Sequence, residues 1–572
     1  MSEGNGLLER FERGDLRIGE GEIGGKAQGL VFFLSMLDAE YDRDRFPKVR
    51  VGVPAFGVVC TDMFDRFIAQ NGLTDLPADE MSDQEIAGRF LTGSLPEELA
   101  EGLKLLAGGV GTPLAVRSSS LLEDAIFSPF AGVYETRMIP NNQDDENERF
   151  RVLGDAVKLV YASTRFKVAR NYLRAAGKSV TDEKMAVLVQ EIVGAPHGGG
   201  FYPHLSGVGK SYNFYPAVGS DPEDGVVSLA LGLGKTIVDG GICWSYSPVR
   251  PTAPPPYGST RDLLNNTQLD FWSVRMATPA GGNPEERTEY LMKADLGAAE
   301  RDGTLALVAS TYDPASDRVR PGIGTKGPRI VNFAPLLEME EYPLNDVVKE
   351  LVSICERAAG ADVEIEFAMT APQDRSEAAR LGFLQLRPMA VSHESVDLTE
   401  EELGTGDLLL SSRRVMGNGT FDGIRDVVYV RPDAFDAKFT RRIAAELETF
   451  NGRLLDAGRS YVLMGFGRWG SSDPWLGIPV QWSAISGAKV IVESTLPDLN
   501  VEPSQGSHFF HNVMGCGASY LCVRHDHSPG VDWAWLDGLE VEGQTDFIRH
   551  VTLDKALKIK VDGRAGRAGV WR

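Results

Sequence analysis

Two groups of residues far apart in the chain have the chemistry to hold a nucleotide. Early on, Gly24-Gly25-Lys26-Ala27 and Arg117-Ser118-Ser119-Ser120 set cations beside small residues. Later, Val363-Glu364-Ile365-Glu366-Phe367-Ala368 and Gln385-Leu386-Arg387-Pro388 set carboxylates ahead of a guanidinium. Lys26 follows two glycines and precedes a helical run, so its ammonium and the neighbouring amides can meet a phosphate at a helix N-terminus. The alternative is an exposed lysine beside a glycine turn. Arg117 ends the apolar strand Leu114-Ala115-Val116 and opens a hydroxyl-rich loop. There a guanidinium can grip phosphate oxygens in pairs, with three serines as further donors; the alternative is an ion pair with Glu123 or Asp124. Glu364 and Glu366 alternate along one strand and share a face. Like charges so close repel unless a cation sits between them or one carboxyl keeps its proton. Mg²⁺ suits that position because it prefers oxygen ligands and takes further ones from ATP phosphates. Gln385 adds a neutral oxygen, and Arg387, two residues on, shares its face and can meet a terminal phosphate. The alternative here is a pair of glutamates on a solvent face. Cations in one half and carboxylates in the other make Mg-ATP the expected ligand.

The elements that must position these residues read as α/β. Periodicity predicts a helix over Ala27 to Met36, a strand over Val51 to Cys60, a helix over Thr61 to Asn71 with Thr61-Asp62 as its cap, a long helix over 154 to 176 and a buried strand over Met185 to Gln190. Residues 196 to 258 turn rich in Gly, aromatics and Pro, ending in Pro254-Pro255-Pro256, and 278 to 287 reads as a loop. Strands follow over Ala306 to Ser310, Arg329 to Phe333, Val363 to Phe367 and Gly382 to Leu386, with a helix over Leu344 to Ala359. A charged hinge, His393 to Glu402, leads to a last segment with its own strands at Ser460 to Met464, Ala488 to Ser494 and Tyr520 to Arg524. The expected division is an N-terminal lobe over 1–195, a second lobe over 196–392 carrying the carboxylates, and a separate α/β domain over 405–572.

The bulk composition agrees with several folding units. A chain of 572 residues exceeds one core. Its formal net charge of -23 argues against a broad nucleic-acid surface, so an anionic ligand needs a local positive pocket. No segment reads as a membrane span or signal peptide, and five cysteines without a Cys-x-x-Cys suit reduced thiols. A cytoplasmic location is expected, with no membrane and no nucleic-acid partner.

In order and spacing, the set Gly24 to Ala27, Val116 to Ser119 through Glu123-Asp124 to Phe130-Ala131-Gly132-Val133-Tyr134-Glu135-Thr136, Val187 to Gln190, Ser206-Gly207-Val208, Gly232-Leu233-Gly234, Ile365 to Ala368 and Leu384 to Pro388 resembles the nucleotide-binding half of phosphoenolpyruvate synthase and pyruvate phosphate dikinase. The resemblance covers about residues 19 to 390. It implies a two-lobed ATP-grasp module that transfers phosphate from ATP to a histidine on a separate swivelling domain. By that likeness Lys26, Arg117, Gln190, Gly232 and Gly234 contact ATP, Glu364, Glu366 and Gln385 surround Mg²⁺, and Arg387 stabilises the transferred group. Three departures stand out. Lys235 replaces the acid usual after Gly-Leu-Gly, Gly209-Lys210-Ser211 replaces an apolar strand after Val208, and neither a Thr-Ser-His-Ala-type phosphohistidine segment nor a pyruvate-binding barrel is expected.

The last domain therefore decides the acceptor. Gly465-Phe466-Gly467-Arg468-Trp469-Gly470 formally matches a dinucleotide fingerprint, yet Ser471-Ser472-Asp473-Pro474 does not open the long helix that motif needs. A ligand loop using Arg468 and the face of Trp469, or a plain structural turn, fits better. His508, His511, Cys516, Cys522, His525 and His527 lie close in sequence, but their spacing fits no standard zinc site. His508 is a candidate phosphate acceptor, since neutral imidazole is a nucleophile near pH 7. The sequence thus points to an ATP-dependent phosphotransferase, with Arg387, Arg117 and His508 as its catalytic candidates. The acceptor is a histidine in cis, a partner protein or a small molecule. The alternative is a non-catalytic ATP-binding regulatory module acting through a partner.

Overall fold

The computed structural model describes residues 3–572 apart from 124–131, 176–177, 217–219, 254–258, 278–289, 390, 392–395, 405, 472, 498 and 500–506. The triple proline, the whole 278–287 loop, the first part of the hinge, Asp124 and Phe130-Ala131 therefore lie outside the described residues. From the hinge onward, Thr399 caps the short helix Glu400–Leu403 through a reciprocal capping box with Glu402.

The chain is mixed α/β, built on several sheets. A five-stranded sheet runs in the order Leu16–Ile18, Phe56–Val59, Met185–Glu191, Leu114–Ser120, Thr136–Ile139. A six-stranded sheet runs Trp244–Tyr246, Val226–Ala230, Leu205–Lys210, Val363–Thr370, Ala379–Pro388, Val49–Gly52. The segment expected as one strand over Val51 to Cys60 is two, because Pro54 removes a ladder donor between them. The halves join different sheets: Val49–Gly52 pairs in parallel with Ala379–Pro388, whereas Phe56–Val59 pairs with Met185–Glu191.

The helix Gly24–Glu40 ties the two sheets together. Its start touches the first sheet, since the Ala27 amide donates to Ser119 Oγ (3.1 Å) and that hydroxyl donates to the Ile23 carbonyl (2.8 Å). Gly24 has a φ of +72°, and a Cβ there would sit 1.6 Å from the Ser119 carbonyl oxygen, so only glycine permits this approach. The body of the helix buries Ala27, Leu30, Phe33 and Leu37 on the second sheet, where Phe33 stacks on Phe383 with centroids 3.4 Å apart.

The expected helix over 154 to 176 is two, Glu146–Ser163 and Lys167–Ala175. The hydroxyls of Ser163 and Thr164 donate back to the carbonyls of Val160 and Tyr161, ending the first helix without Gly or Pro. Leu344–Ala359 forms as read and stops at Gly360 in the left-handed region. The strand expected at Ala306 begins at Ala309, after a 3₁₀ turn over Leu305–Leu307.

The α/β region after the hinge, termed the last domain below, holds a seven-stranded sheet in which Asp426–Val430, Tyr461–Phe466, Ala488–Ser494 and Ser519–Val523 run parallel, with antiparallel strands on either edge. A four-stranded antiparallel sheet packs on it. Apolar packing is continuous from the first lobe into this domain, the same cluster containing Tyr172, Leu173, Phe510, Val513 and Tyr520. No described helix is long and apolar enough to cross a membrane.

Replacing Phe33 by Ala removes a fully buried ring from the joint between helix and second sheet. It should lower unfolding stability by about 3–5 kcal/mol in denaturant titrations.

Candidate functional site

The two sheets bring the early cations against the late carboxylates. Arg117 and Gln190 lie diagonally across adjacent strands, so they share a face. Arg117 Nη1 donates to Gln190 Oε1 (3.2 Å) and to the Leu384 carbonyl (3.0 Å), Nη2 donates to Gln385 Oε1 (2.5 Å), and Nη2 also lies 3.6 Å from Glu366. Arg117 therefore bridges the lobes instead of pairing with Glu123. That acid takes Lys26, whose Nζ donates to Glu123 Oε1 (2.5 Å) and to Ser118 Oγ (3.1 Å). Behind them, burial pushes the Glu183 carboxyl up to about 7 against the hydrogen bonds of Ser120 and Tyr134, with the Glu123 charge adding to the rise.

On the second sheet the ladder sets Glu364 opposite Lys210 on one side and Arg387 on the other, and Glu366 opposite Val208 and Gln385. Glu364 Oε1 accepts from Arg387 Nη1 (2.8 Å), and its Oε2 lies 3.2 Å from Lys210 Nζ. Burial raises the Glu364 pKa, but Lys210 and Arg387 outweigh it and hold the group at about 2. The like-charge repulsion expected between Glu364 and Glu366 is thus relieved in part by protein cations. Glu366 Oε1 is different: it is buried and, among the described residues, has no hydrogen-bond partner, Arg387 lying at 3.7 Å. Gln190 Nε2 is likewise buried without an acceptor. An orphaned anionic oxygen and an orphaned donor on facing walls are what a bound cation and a bound phosphate or base would satisfy.

Around this core, the Gly232 carbonyl accepts from Ser206 Oγ (2.7 Å), and Gly234 precedes the short helix Lys235–Val238. The charge reversal at Lys235 is balanced locally by Asp239 at 2.8 Å, one helical turn on, and by the Trp272 ring. Val208, Ala230 and Ile237, with Cys243 against them, form a small apolar patch beside Glu366.

Lys210 is a site residue that sequence reasoning missed. Flanking glycines disguise its strand, but Ser206, Val208 and Lys210 alternate in step with Ala368, Glu366 and Glu364. That alternation was the available signal. His511 was set aside among the clustered histidines, yet it lies within electrostatic reach of Glu364. His508 belongs to the helix Ser507–Gly515, but its side chain lies outside the described residues. The other clustered groups disperse: His525 meets Thr495, His527 meets Ser411, and the Cys522 thiol meets the Tyr215 hydroxyl. Trp469 is not a ligand face. It is buried in full, its indole donates to the Val492 carbonyl (3.0 Å), and only its neighbour Arg468 reaches out of the domain.

Among the described residues, Asp426, Glu542 and His550 also place ligand atoms within 4.8 Å of one another. Arg459 already fills that space, meeting Asp426 Oδ2 at 3.0 Å and Glu542 Oε1 at 2.8 Å. The cluster lies in a cleft of about 810 Å³ at the amino ends of the parallel strands, opposite the end where α/β sheets bind ligands.

This arrangement defines a nucleotide-binding module, and comparison with known proteins says which. Residues 20–404 match the pyruvate phosphate dikinase AMP/ATP-binding domain, and the chain belongs to that family. It is similar to a rifampicin phosphotransferase of Streptomyces sviceus, 29% identical over 215 residues, which is 33% of this chain and 22% of that protein. It is also similar to the uncharacterized phosphotransferase YvkC of Bacillus subtilis, 25% identical over 195 residues, 33% of this chain and 20% of that one. The matched stretches span about a fifth of each relative's length.

The sign of the Glu364 linkage is testable. Its folded pKa lies below the ordinary 4.5, so the stabilisation from this ion pair is complete above pH 4.5 and is lost as pH falls through about 2. Glu364→Gln strands two buried cations and should cost about 3–5 kcal/mol at pH 7. Denaturant unfolding of wild type and variant from pH 7 down to 2 should show that gap narrowing as pH falls.

Proposed function

We propose that the chain is an ATP-dependent phosphotransferase whose ATP site lies between the two lobes, arranged as an ATP-grasp module. The observation that carries this reading is Arg117, which reaches from the first sheet to Gln385 and Glu366 on the second and so joins the cation set to the carboxylate set. Phosphoryl transfer needs positioning and charge neutralisation more than a reactive side chain. Lys26, Arg117 and Arg387 supply the positive charge, Gln190 offers a donor, and the loop from Gly232 to Gly234 with the Val208 patch borders the nucleotide.

Glu366 and Gln385 would hold Mg²⁺, the orphaned Glu366 Oε1 being the best-fitting ligand. Glu364 joins them only by releasing Lys210 or Arg387, and otherwise serves to aim those two cations. The ion, when bound, neutralises the charge of the phosphate oxygens. Arg387 is presented at the same face and moves onto the transferring group, while the sheet and the docked last domain keep water from it. The phosphotransferase names of both relatives support the reading. The acceptor is a histidine of this chain, a partner protein or a small molecule.

A non-catalytic module that reports nucleotide binding through its last domain is the second reading, favoured by the continuous apolar packing between that domain and the first lobe. Mg-ATP labelled separately at the β and γ positions separates the two. Release of AMP or ADP supports transfer, whereas saturable binding with no cleavage supports the regulatory reading. Glu366→Gln should lower cleavage by about a hundredfold or more and raise the Mg²⁺ concentration required, read from metal titrations of initial rate.

A further inference from the structure

The last domain does not merely sit beside the nucleotide half. Its loop Gly465 to Gly470 leaves the carboxyl end of the strand Tyr461–Phe466 and is held rigidly. Gly467 and Gly470 have φ of +71° and +76°, Arg468-Trp469 pairs in parallel with Gly477-Ile478, and Trp469 is pinned through its indole to Val492. A Cβ on Gly477 would lie 2.0 Å from the Arg468 carbonyl oxygen, so the two segments touch backbone to backbone. All of this holds one side chain at the domain boundary. Arg468, 9% exposed, crosses it and donates from Nη1 to the Gly240 carbonyl (3.1 Å), just past the helix that follows Gly232-Leu233-Gly234.

Several observations put Arg468 over the nucleotide face. The Cys243 thiol, which packs on the Val208, Ala230 and Ile237 patch, feels both Arg468 and Lys210, and Lys210 is the partner of Glu364. The helix Ser507–Gly515 packs near Lys235–Val238 and brings His511 within electrostatic reach of Glu364. It is anchored there by the Tyr172 hydroxyl, which donates to Asn512 Oδ1 (3.1 Å). The last domain thus adds a cation to a face that already carries Lys210 and Arg387.

We infer that Arg468 is a phosphate-binding residue of the nucleotide site, supplied to it across the domain boundary and acting on the phosphoryl group in transit. The inference rests on the phosphotransferase reading. A guanidinium held in a rigid loop reaches charge that develops during transfer without reorganising, which is where such a group has most effect. It also gives the last domain a role: cleavage requires that domain to be docked.

The test compares wild type with Arg468→Ala and Arg468→Lys, the second keeping a donor for the Gly240 carbonyl and hence the domain contact. Both variants should cleave Mg-ATP about 10²–10³-fold more slowly. Both should keep affinity for a non-hydrolysable ATP analogue within about threefold, and lose the tight complex with Mg-ADP and aluminium fluoride, a mimic of the transferring group. Cleavage within about twofold of wild type in either variant overturns the inference. So does a loss that follows the melting temperature and is restored in full by Arg468→Lys, because that is a structural role. If wild type neither cleaves ATP nor forms the aluminium fluoride complex, the phosphotransferase reading itself fails and takes this inference with it.

Discussion

A carboxylate buried between two cations organises the site. Glu364 is 3% exposed, and a lone charge at that depth would shed its ionisation. Instead it stays charged because Lys210 on one neighbouring strand and Arg387 on the other are drawn to it. The same contacts lock the register of three central strands, since slipping any of them by one residue would send its charge to the opposite, apolar face. Once that register holds, Glu366 and Gln385 face each other two residues along, and Glu366 is left with an oxygen that no donor among the described residues hydrogen-bonds. The deficit that suits a metal ion follows from the satisfaction of its neighbour.

The lobes share one helix, and this limits how they can move. Gly24–Glu40 begins against Ser119 of the first sheet while its flank stacks on Phe383 of the second. Any opening that separates Arg117 from Gln385 must therefore bend around the first turn of that helix, where Lys26 sits. A displacement at Lys26 and one at Arg117 are thus mechanically linked. Between them stands Glu123, which compensates the Lys26 charge at 2.5 Å and would have to yield it to an arriving phosphate.

Much of this was legible from alternation and spacing. The shared face of Glu364 and Glu366 and that of Gln385 and Arg387 follow from strand periodicity, and the helix Leu344–Ala359 from its apolar stripe, whereas Arg117, expected where its strand ends, sits mid-strand because the ladder with Met185–Glu191 carries the pairing on through Ser120. What was missed depended on long-range pairing. A single strand over Val51 to Cys60 is a fair local reading, and only the tertiary fold sends its halves to different sheets around Pro54. Lys210 looked like part of a glycine-rich connection because Gly207 and Gly209 erase the apolar signal of their strand. They are small there because large neighbours need the room, a Cβ on Gly207 meeting the Phe367 ring at 2.2 Å. The alternative of an Arg117 ion pair with Glu123 rested on nearness in sequence, and Lys26 claims that acid from across the lobe.

The last domain shows which of its two ends is built for contact. At the amino ends of its parallel strands, Arg459 meets Asp426 and Glu542, and His550 meets Asp426, so these groups take their partners from within the domain. At the carboxyl ends, the Tyr520 hydroxyl donates to buried Glu493, and burial together with that carboxylate lifts the tyrosine's pKa well above its ordinary value, fixing the proton. Arg468 leaves the same end and takes its partner from the other domain. Sheets of this kind bind ligands at their carboxyl ends because the connecting loops diverge there and leave a crevice. In this chain the loop that leaves that end carries Arg468 to the Gly240 carbonyl, so the carboxyl end of the last sheet is the one that faces the nucleotide half.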